Sequence, residues 1–357
     1  MPNIVAITGI NGFIATQVVL LFLTRNWHVR GSVRTPLQAQ SMKEHPVYKE
    51  WVEGGKLEVA VVPDMAGREG EGGEVEGLLD GVRGVVCLAA PLPGADTTSW
   101  PGFRDPTIQG IKRVLEYAQK SSTIKSVVIM SSVAGAVDWS APPGKVFTED
   151  DWIPFSDDDC QADGADINPG ILMKWYGTAK KMTEQYALEF QEKEKLGFSI
   201  ATVAPSMVYG PPIYIPTASD LPKLQYYQQE FFSLFAGGKD RKLPEQMAQS
   251  WVDVRDVAEA FYVLVEREGR GRYLISGGEY KWQEWADKLH TLRPDLDEHL
   301  ALGEPGKYPD SRWKVDGSKS VRELGMKYRT AEETLKDTLA YFEKIGVFEE
   351  AAGAWKI

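Results

Sequence analysis

Short apolar runs recur through the first two thirds of the chain, and apolar residues at helical spacing fill the stretches between them. The runs lie at residues 3–8, 28–33, 57–62, 84–88, 126–130 and 199–204. Because they are short, β-branched and apolar on both faces, they predict parallel strands covered by helices on both sides. Helical patterns at 108–120 and 175–195 continue the alternation. The chain is therefore predicted to be α/β, with a Rossmann-type doubly wound parallel sheet.

The pattern changes after Pro205. The following residues are rich in Pro and Tyr, and 226–235 is an aromatic segment that predicts a helix. A strand and helix pattern at 251–276 predicts a segment that folds back on the main sheet. We therefore expect a dinucleotide-binding domain and a smaller C-terminal substrate-binding subdomain. The expected bounds are 1–204 with 251–276 for the first, and 205–250 with 277–357 for the second.

Charge and composition restrict the class of protein. The net charge of −11 argues against nucleic acid or an anionic membrane as the main partner, because both select a basic surface. No apolar stretch approaches the roughly 20 residues of a membrane helix. The first strand begins at Asn3, which leaves no room for a signal peptide. We expect a cytoplasmic enzyme, monomeric or homodimeric, acting on a small molecule. The segment 69–76 is expected to be a solvated loop.

The first predicted strand runs into a glycine-rich turn, Gly9-Ile10-Asn11-Gly12, and then into an apolar helix. Such a turn presents backbone N–H groups and a helix start to a pyrophosphate. Gly9 would allow the tight turn, Gly12 would let the backbone approach the phosphates, and the small Ala15 would let the helix pack closely. The spacing G-x-x-G-x-x-A differs from the G-x-G-x-x-G of many dehydrogenases, so the turn alone is weak evidence.

Two further strand ends carry residues suited to a cofactor. Arg34 follows the second strand, where an NAD site usually has Asp or Glu for the ribose 2′-OH. Arginine there favours a 2′-phosphate and hence NADP(H), and a solvated arginine near a helix start is the alternative. Asp64 follows the third strand, where it would accept a hydrogen bond from an adenine amino group or serve as a turn or N-cap residue.

A serine pair and a Tyr/Lys pair carry the candidate chemistry. Ser131 and Ser132 follow the fifth strand, and Tyr176 and Lys180 lie four residues apart on the next long helix, on one face. A free tyrosine has a pKa of about 10, too high for efficient proton transfer at neutral pH, and a neighbouring ammonium lowers it. A serine hydroxyl would hold a carbonyl oxygen while tyrosine protonates it. The Y-x-x-x-K pair alone is common, and its order after the glycine turn and the serine pair gives it weight.

Taken together, these motifs make the chain similar to the extended short-chain dehydrogenases/reductases. Within that family it looks most like the dihydroflavonol-reductase-like aldehyde and ketone reductases, which include fungal carbonyl reductases. The matching motifs span most of the chain. They are TGINGFIA (8–15), GSVR (31–34), VPDM (62–65), AAP (89–91), SSVA (131–134), YGTAK (176–180), APSMVYGP (204–211) and WVDVRDVAEA (251–260).

The resemblance implies NADPH-dependent reduction of a ketone or aldehyde to an alcohol. Tyr176 would protonate the carbonyl oxygen and Ser132 would hydrogen-bond it. Lys180 would bind the nicotinamide ribose and lower the pKa of Tyr176. The implied cofactor contacts are Gly9, Asn11, Gly12, Phe13 and Ile14 at the pyrophosphate, Arg34 at the 2′-phosphate, Asp64 and Met65 at the adenine, Ala89 and Pro91 at the ribose, and Pro205 and Val208 at the nicotinamide.

Three positions depart from the family pattern. Gln38 stands where many relatives have a second basic residue, so the NADPH preference is expected to be softer. Gln109 stands where relatives often have Asn, which would disturb a water or proton path. The acidic segment 147–166 contains Asp157, Asp158 and Asp159. We interpret it as a solvated loop near the pocket mouth, because its spacing fits no calcium loop, and we expect no metal site.

Aromatic side chains would form the walls of a pocket for a hydrophobic carbonyl compound, such as a secondary metabolite. The candidates on the substrate side, each of which is as readily a core residue, are Trp100, Val133, Trp139, Tyr214, Tyr226 and Phe231. Two other functions stay open at this point. An NAD-retaining epimerase or dehydratase would use the same triad, and Arg34 argues against it. A non-catalytic NADP-sensing protein would commonly have lost Tyr176 or Lys180.

Overall fold

The computed structural model of the protein describes residues 3–67, 73–92, 94, 97–162 and 167–349. Twelve strands are assigned in this part of the chain. They are β1 (Ile4–Ile7), β2 (His28–Val33), β3 (Leu57–Val61), β4 (Gly84–Cys87), β5 (Ser126–Met130), β6 (Lys145–Phe147), β7 (Ser199–Pro205), β8 (Met207–Tyr209), β9 (Ser250–Asp253), β10 (Gly271–Ile275), β11 (Gly278–Glu279) and β12 (Trp313–Val315).

Twelve α-helices accompany them in the same described ranges. They are α1 (Phe13–Thr24), α2 (Pro36–Glu44), α3 (Lys49–Glu53), α4 (Gly73–Leu79), α5 (Trp100–Lys120), α6 (Asp157–Gln161), α7 (Pro169–Lys193), α8 (Tyr226–Phe232), α9 (Val254–Glu266), α10 (Trp282–Leu292), α11 (Ser318–Leu324) and α12 (Ala331–Lys344). Short 3-10 helices lie at Val133–Gly135, Ala218–Lys223, Pro294–Leu296 and Val347–Glu349. None of the helices placed here combines the length and apolar content that crossing a bilayer requires.

Seven strands form a parallel sheet in the order β10-β7-β5-β4-β1-β2-β3. The chain runs outward from β1 through β2 to β3, and then returns to β4 on the other side of β1. In this register Val5 lies opposite both Val29 and Gly84. Such a reversal of strand order opens a crevice at the carboxyl ends of the strands, where ligands of these folds bind. The predicted doubly wound sheet is confirmed.

Alternate residues of each central strand enter two different cores. Val86 and Val128 pack in the core that contains α1 and α9, while Val85 and Val127 pack in the core that contains α4 and α5. All four side chains are fully buried. Because both faces of the sheet are covered, strands that are apolar at every position are stabilised, at about 1.5–3 kcal/mol for each buried aliphatic side chain.

The C-terminal region has a separate core rich in aromatic rings. Tyr209 and Phe231 lie 4.9 Å apart between ring centroids, and Trp251 and Trp285 lie 5.0 Å apart. Leucines and phenylalanines of α8, α10 and α12 complete this core. We call this group the C-terminal aromatic core. It explains the aromatic character of the sequence after Pro205.

The structure agrees in part with the prediction that residues 251–276 fold back on the main sheet. The strand β10 lies at the edge of the main sheet beside β7, and α9 packs against α1. The strand β9 instead joins a small sheet with β8 and β11. The domain bounds stay a prediction.

Several boundaries differ from the sequence predictions for local reasons. The helix α5 begins eight residues before 108, because Ser99 caps it and Pro101 lies in its first turn, where proline is tolerated. The helix α7 begins at Pro169, capped by Asn168. Part of the expected loop at 69–76 is helical, since α4 starts at Gly73, and 69–72 lie outside the described residues.

Candidate active site

The helix α7 approaches the turn after β5 very closely, and this approach brings Ser132 and Tyr176 together. A Cβ on Gly177 would lie 2.4 Å from the carbonyl oxygen of Ala134. A Cβ on Gly135 would lie 3.2 Å from the backbone nitrogen of Lys181. The hydroxyl of Ser132 therefore reaches hydrogen-bonding contact with the phenol of Tyr176. Glycine at these two positions is what permits the contact.

Tyr176 is half-buried on α7 and packs against the cluster formed by Trp100 and Trp175. Burial raises the pKa of its phenol above the usual value, and the hydrogen bond with Ser132 acts in the opposite direction. The sequence led us to expect a lowered pKa through Lys180. The structure shows the opposite net direction, because removing the phenolate from water outweighs the hydrogen bond. Tyr176 is therefore protonated at neutral pH, as a proton donor must be.

Lys180 is only 4% exposed. Its Nζ donates to the carbonyl oxygen of Met130 at 3.3 Å and lies 5.7 Å from the centroid of the Tyr176 ring. Burial lowers the pKa of Lys180 to about 8, and the charge of Glu184 opposes that effect. The structure thus places Ser132, Tyr176 and Lys180 in one cluster at the carboxyl end of β5.

The glycine turn has the shape that an anion-binding turn requires. Gly9 has φ +69°, and a Cβ there would lie 3.2 Å from Ala89. Ile10 is tied to β2 by a hydrogen bond from its nitrogen to the Ser32 carbonyl at 3.0 Å. Gly12 begins α1 without a side-chain cap and without an acidic residue in the first turn. The N–H groups of that turn are therefore available to an anion.

The other turn residues contribute backbone rather than side chains. Asn11 is exposed and Ile14 is half-buried. The side chain of Phe13 is 4% exposed and packs on Tyr214, with ring centroids 6.0 Å apart. Gly31 completes the arrangement, since a Cβ there would lie 2.6 Å from Ile10.

Arg34 is exposed and lines a cleft of about 380 Å³. The same cleft is lined by Pro91 and by the first turn of α5, including Ser99 and Gly102. Ala89 lies beside it, held because its backbone nitrogen donates to the Thr8 hydroxyl at 2.9 Å. The structure thus brings the residues predicted for the 2′-phosphate and for the ribose to one cleft.

The residues predicted for the adenine, Asp64 and Met65, follow β3 and do not line this cleft. Asp64 is exposed, and its carboxylate accepts a hydrogen bond from the backbone nitrogen of Ala66 at 2.9 Å. Asp64 therefore serves as a turn residue, as the alternative interpretation proposed, and its contact with the adenine stays a prediction. Met65 is half-buried and packs against α5, 3.5 Å from where a Cβ of Gly110 would lie.

The residues predicted for the nicotinamide are buried. Pro205 ends β7, and Val208 lies on β8. Val208 lines a pocket of about 10 Å³ together with Phe13 and Phe231, which leaves room for about one water molecule. Tyr209 and Phe342 of the C-terminal aromatic core line the same pocket.

The substrate candidates do not form one wall. Trp100 is 2% exposed and donates from its indole nitrogen to Asp157 at 2.7 Å. Val133 and Trp139 are half-buried against a core formed partly by β12. Phe231 is 4% exposed in the C-terminal aromatic core. Trp100, Val133 and Trp139 thus lie in two packed clusters, and Phe231 lines the small pocket that also contains Val208.

For one substrate candidate, Tyr226, the structure places the neighbouring tyrosine toward the site instead. Tyr226 is 71% exposed and hydrogen-bonds Glu230. Its neighbour Tyr227 is the one that faces Tyr176 and Tyr214, and burial raises its pKa. The signal was present in the sequence, since Tyr227 shares the i, i+4 face of α8 with the buried Phe231.

The structure shows the surroundings of the three features that depart from the family pattern, which are Gln38, Gln109 and the acidic segment 147–166. Gln38 closes a capping box on α2, and its Oε1 accepts from the backbone nitrogen of Arg34 at 3.0 Å. Gln109 is exposed on α5, and its effect on a water or proton path stays a prediction. Part of the acidic segment is the helix α6 rather than a loop, and Asp157 pairs with Arg104 at 2.7 Å. Residues 163–166 lie outside the described residues.

Sequence reasoning missed a buried carboxylate beside the catalytic cluster. Glu184 is completely buried, one helical turn beyond Lys180. It forms an ion pair with Arg272 of β10 at 3.0 Å. The only sequence signal is that Glu184 continues the i, i+4 face of Tyr176 and Lys180.

The residues present fit a dinucleotide phosphate. The turn at Gly9 needs a positive φ, the start of α1 is uncapped, and the cleft beyond it ends at a guanidinium. These are the donors and the cation that a pyrophosphate and a 2′-phosphate require.

Comparisons with known proteins agree with this geometry. The family described as "NAD dependent epimerase/dehydratase family" matches residues 5–276. The chain is 28% identical over 352 residues to the NADPH-dependent methylglyoxal reductase GRE2 of Saccharomyces cerevisiae, covering 95% of this chain and 98% of that protein. It is 26% identical over 351 residues to the ketoreductase sphI of Aspergillus fumigatus, covering 94% and 96%. The crystal structure of Gre2 from Candida albicans in complex with NADPH matches with a TM-score of 0.81 at 26% identity, covering 97% of this chain and 100% of that one.

Proposed function

The chain belongs to the NAD dependent epimerase/dehydratase family and is an NADPH-dependent oxidoreductase acting on carbonyl compounds, and we propose that Tyr176 supplies the proton in this reaction. The observation that carries the proposal is the contact of Ser132 with Tyr176 beside the buried Lys180. The substrate is a hydrophobic ketone or aldehyde, and the product is the corresponding alcohol.

Each member of the cluster has a separate task. Tyr176 donates its phenolic proton to the substrate oxygen, while Ser132 donates a hydrogen bond to the same oxygen and so polarises the carbonyl. The Lys180 ammonium stabilises the phenolate that remains on Tyr176, since it lies 5.7 Å from the ring centroid. When bound, NADPH supplies the hydride that the carbonyl carbon accepts.

The cofactor would be held from two ends. Gly9, Asn11, Gly12, Phe13 and Ile14 would line the pyrophosphate, and Arg34 would pair with the 2′-phosphate. Asp64 and Met65 would contact the adenine, and Ala89 and Pro91 the ribose. Lys180 and Tyr176 would contact the nicotinamide ribose, with Pro205 and Val208 beside the nicotinamide.

The substrate side is supported by aromatic groups near the catalytic phenol. Tyr214 and Tyr227 are half-buried where the main core and the C-terminal aromatic core meet. Tyr214 donates from its hydroxyl to Gln228 at 2.5 Å, which fixes its orientation. Aromatic rings beside a proton donor suit an apolar carbonyl compound, including secondary metabolites. We propose that the region after residue 205, apart from 251–276, forms the substrate subdomain.

Substitution of Tyr176 by Phe tests the proposed proton transfer. We expect kcat to fall by about 10²- to 10⁴-fold, the range for loss of a general acid, with the affinity for NADPH retained. The loss of NADPH absorbance with a panel of ketones and aldehydes measures the rate. Tyr186→Phe, on the same helix and outside the cluster, is the control. Equal rates for wild type and Tyr176→Phe would refute the role of Tyr176.

We also propose that the enzyme acts in the cytoplasm as a monomer or homodimer. Cell fractionation and light scattering of the purified enzyme test location and assembly.

A further inference from the structure

Glu184 joins four elements of the fold at one buried carboxylate. Its Oε1 accepts from the hydroxyl of Ser131 at 2.6 Å. Its Oε2 accepts from the hydroxyl of Thr202 at 2.8 Å and from Nε of Arg272 at 3.0 Å. These partners come from the end of β5, from β7 and from β10, while Glu184 lies on α7. A carboxylate with no exposure is stable only because all these donors satisfy it.

The same carboxylate is adjacent to two catalytic groups. Ser131 directly precedes Ser132, so its hydrogen bond to Glu184 anchors the turn that carries the catalytic hydroxyl. Lys180 lies four residues before Glu184 on the same helix face. The charge of Glu184 raises the pKa of Lys180, against the lowering by burial.

The positive charge of Arg272 partly offsets the negative charge of Glu184, with which it forms an ion pair. Its guanidinium lies 3.6 Å from the centroid of the Trp152 ring and donates to the carbonyl oxygens of Glu149 and Asp151. It is therefore held in place independently of Glu184. The charged and titratable groups that act on Lys180 include Tyr176 and Glu184 from α7. Arg272 of β10 acts on Lys180 through its ion pair with Glu184.

We propose that Glu184 is a positioning residue for the carbonyl reduction. Its buried carboxylate anchors the Ser132 turn through Ser131 and supplies the negative charge that faces the Lys180 ammonium, with Arg272 balancing that charge. This inference rests on the proposed roles of Ser132, Tyr176 and Lys180 and extends them by one residue that does not touch the substrate.

The proposal predicts pH shifts of opposite sign for the two partners of the ion pair. The reduction rate needs the charged form of Lys180, so it falls as pH rises through the pKa of that group. This fall is the alkaline limb of the pH–rate profile. Glu184→Gln removes the negative charge beside Lys180 and should move the alkaline limb to lower pH, by about one pH unit. Arg272→Gln leaves Glu184 unbalanced and moves the limb to higher pH. Thr202→Val removes one hydrogen bond without changing charge and leaves the limb in place.

Single-turnover oxidation of NADPH with one ketone, recorded from pH 6 to 9.5, measures these shifts in the full-length enzyme. NADPH affinity measured over the same pH range by fluorescence gives a second readout that does not require turnover. If Glu184→Gln does not fold, as judged by circular dichroism, Ser131→Ala decides the question, because it removes the hydrogen bond that anchors the Ser132 turn and leaves the ion pair of Glu184 with Arg272 intact. Ser131→Ala should lower the rate at every pH, and an unchanged rate would overturn the proposal. Limbs that coincide, or that move in the same direction for both charge variants, would overturn the proposal. If Tyr176→Phe is inactive in that case, the proposed role of Tyr176 still holds and only the role of Glu184 is refuted. If Tyr176→Phe is active, both proposals are refuted.

Discussion

The two ends of the candidate cofactor cleft are built on different physical principles. At the reaction end, Lys180 is 4% exposed, Tyr176 is half-buried, and the supporting Glu184 has no exposure. At the adenosine end, Arg34 and Asp64 are both exposed, and local backbone capping holds their segments. Burial therefore alters the chemistry at the first end, whereas charge alone acts at the second.

The difference concerns how a side chain acquires its function. A buried group has its pKa changed by the loss of water and by its partners, so its neighbours belong to its mechanism. An exposed arginine keeps its charge in any setting and needs only to be near the phosphate. Substitutions at the reaction end should therefore alter stability and chemistry together, and those at the adenosine end should alter cofactor affinity alone.

The largest effect is expected for Arg272→Met. This change leaves the buried carboxylate of Glu184 without its ion-pair partner, which should lower the free energy of unfolding by about 3–5 kcal/mol. Urea unfolding measures it. The control is Lys193→Met, which removes the exposed pair with Glu189 on the same helix and should cost far less, because water screens an exposed ion pair. Equal losses of unfolding free energy in the two variants would contradict the contrast between buried and exposed charged groups.

Gly177→Ala should act on chemistry through geometry. The added Cβ would lie 2.4 Å from the Ala134 carbonyl oxygen, so α7 must move away from the turn that carries Ser132. We expect kcat to fall by about 100-fold, as for a displacement of about 1 Å in a catalytic contact. Gly77→Ala is the matched control, because a helical Cβ there meets no atom within 4 Å. Full activity of Gly177→Ala would show that the close approach is not required.

Arg34→Ala should change cofactor preference and leave the fold intact. Loss of a charge-assisted pair with the 2′-phosphate is expected to weaken NADPH binding by roughly tenfold to a hundredfold, with NADH little affected. Fluorescence titration with both cofactors measures the ratio. Arg322→Ala, an exposed arginine on α11, is the control. An unchanged ratio would refute the assignment of Arg34.

The smallest effect is expected for Gln38→Ala. Its side chain accepts hydrogen bonds from the backbone nitrogens of Arg34 and Thr35, at 3.0 and 3.2 Å. Because these nitrogens are exposed, losing the cap should cost about 0.5 kcal/mol of unfolding free energy. The ratio of NADPH to NADH affinity should not change. A marked fall in NADPH affinity would mean that Gln38 contacts the cofactor.

Much of the fold was predictable because its signals are local. Strands that are apolar on both faces are typical of parallel sheets, and β2 and β5 were predicted with the bounds that the structure has. The grouping of Ser132, Tyr176 and Lys180 was predicted from the order of their motifs along the chain and from the family resemblance. The structure places the three residues at the carboxyl end of β5, where ligands of such sheets bind. Errors occurred where capping extends a helix, as at Ser99 of α5.

The sequence by itself determined the alternation of strands and helices, and it predicted Ser132, Tyr176 and Lys180 as the catalytic cluster and Arg34 as the cation for the cofactor phosphate. Only the tertiary structure decided which tyrosine of α8 faces the site and which groups control Lys180. The physical reason is that the pKa of a group depends on its burial and on its partners in space. Glu184 finds Arg272 at a separation of 88 residues, and no periodicity along the chain encodes that contact.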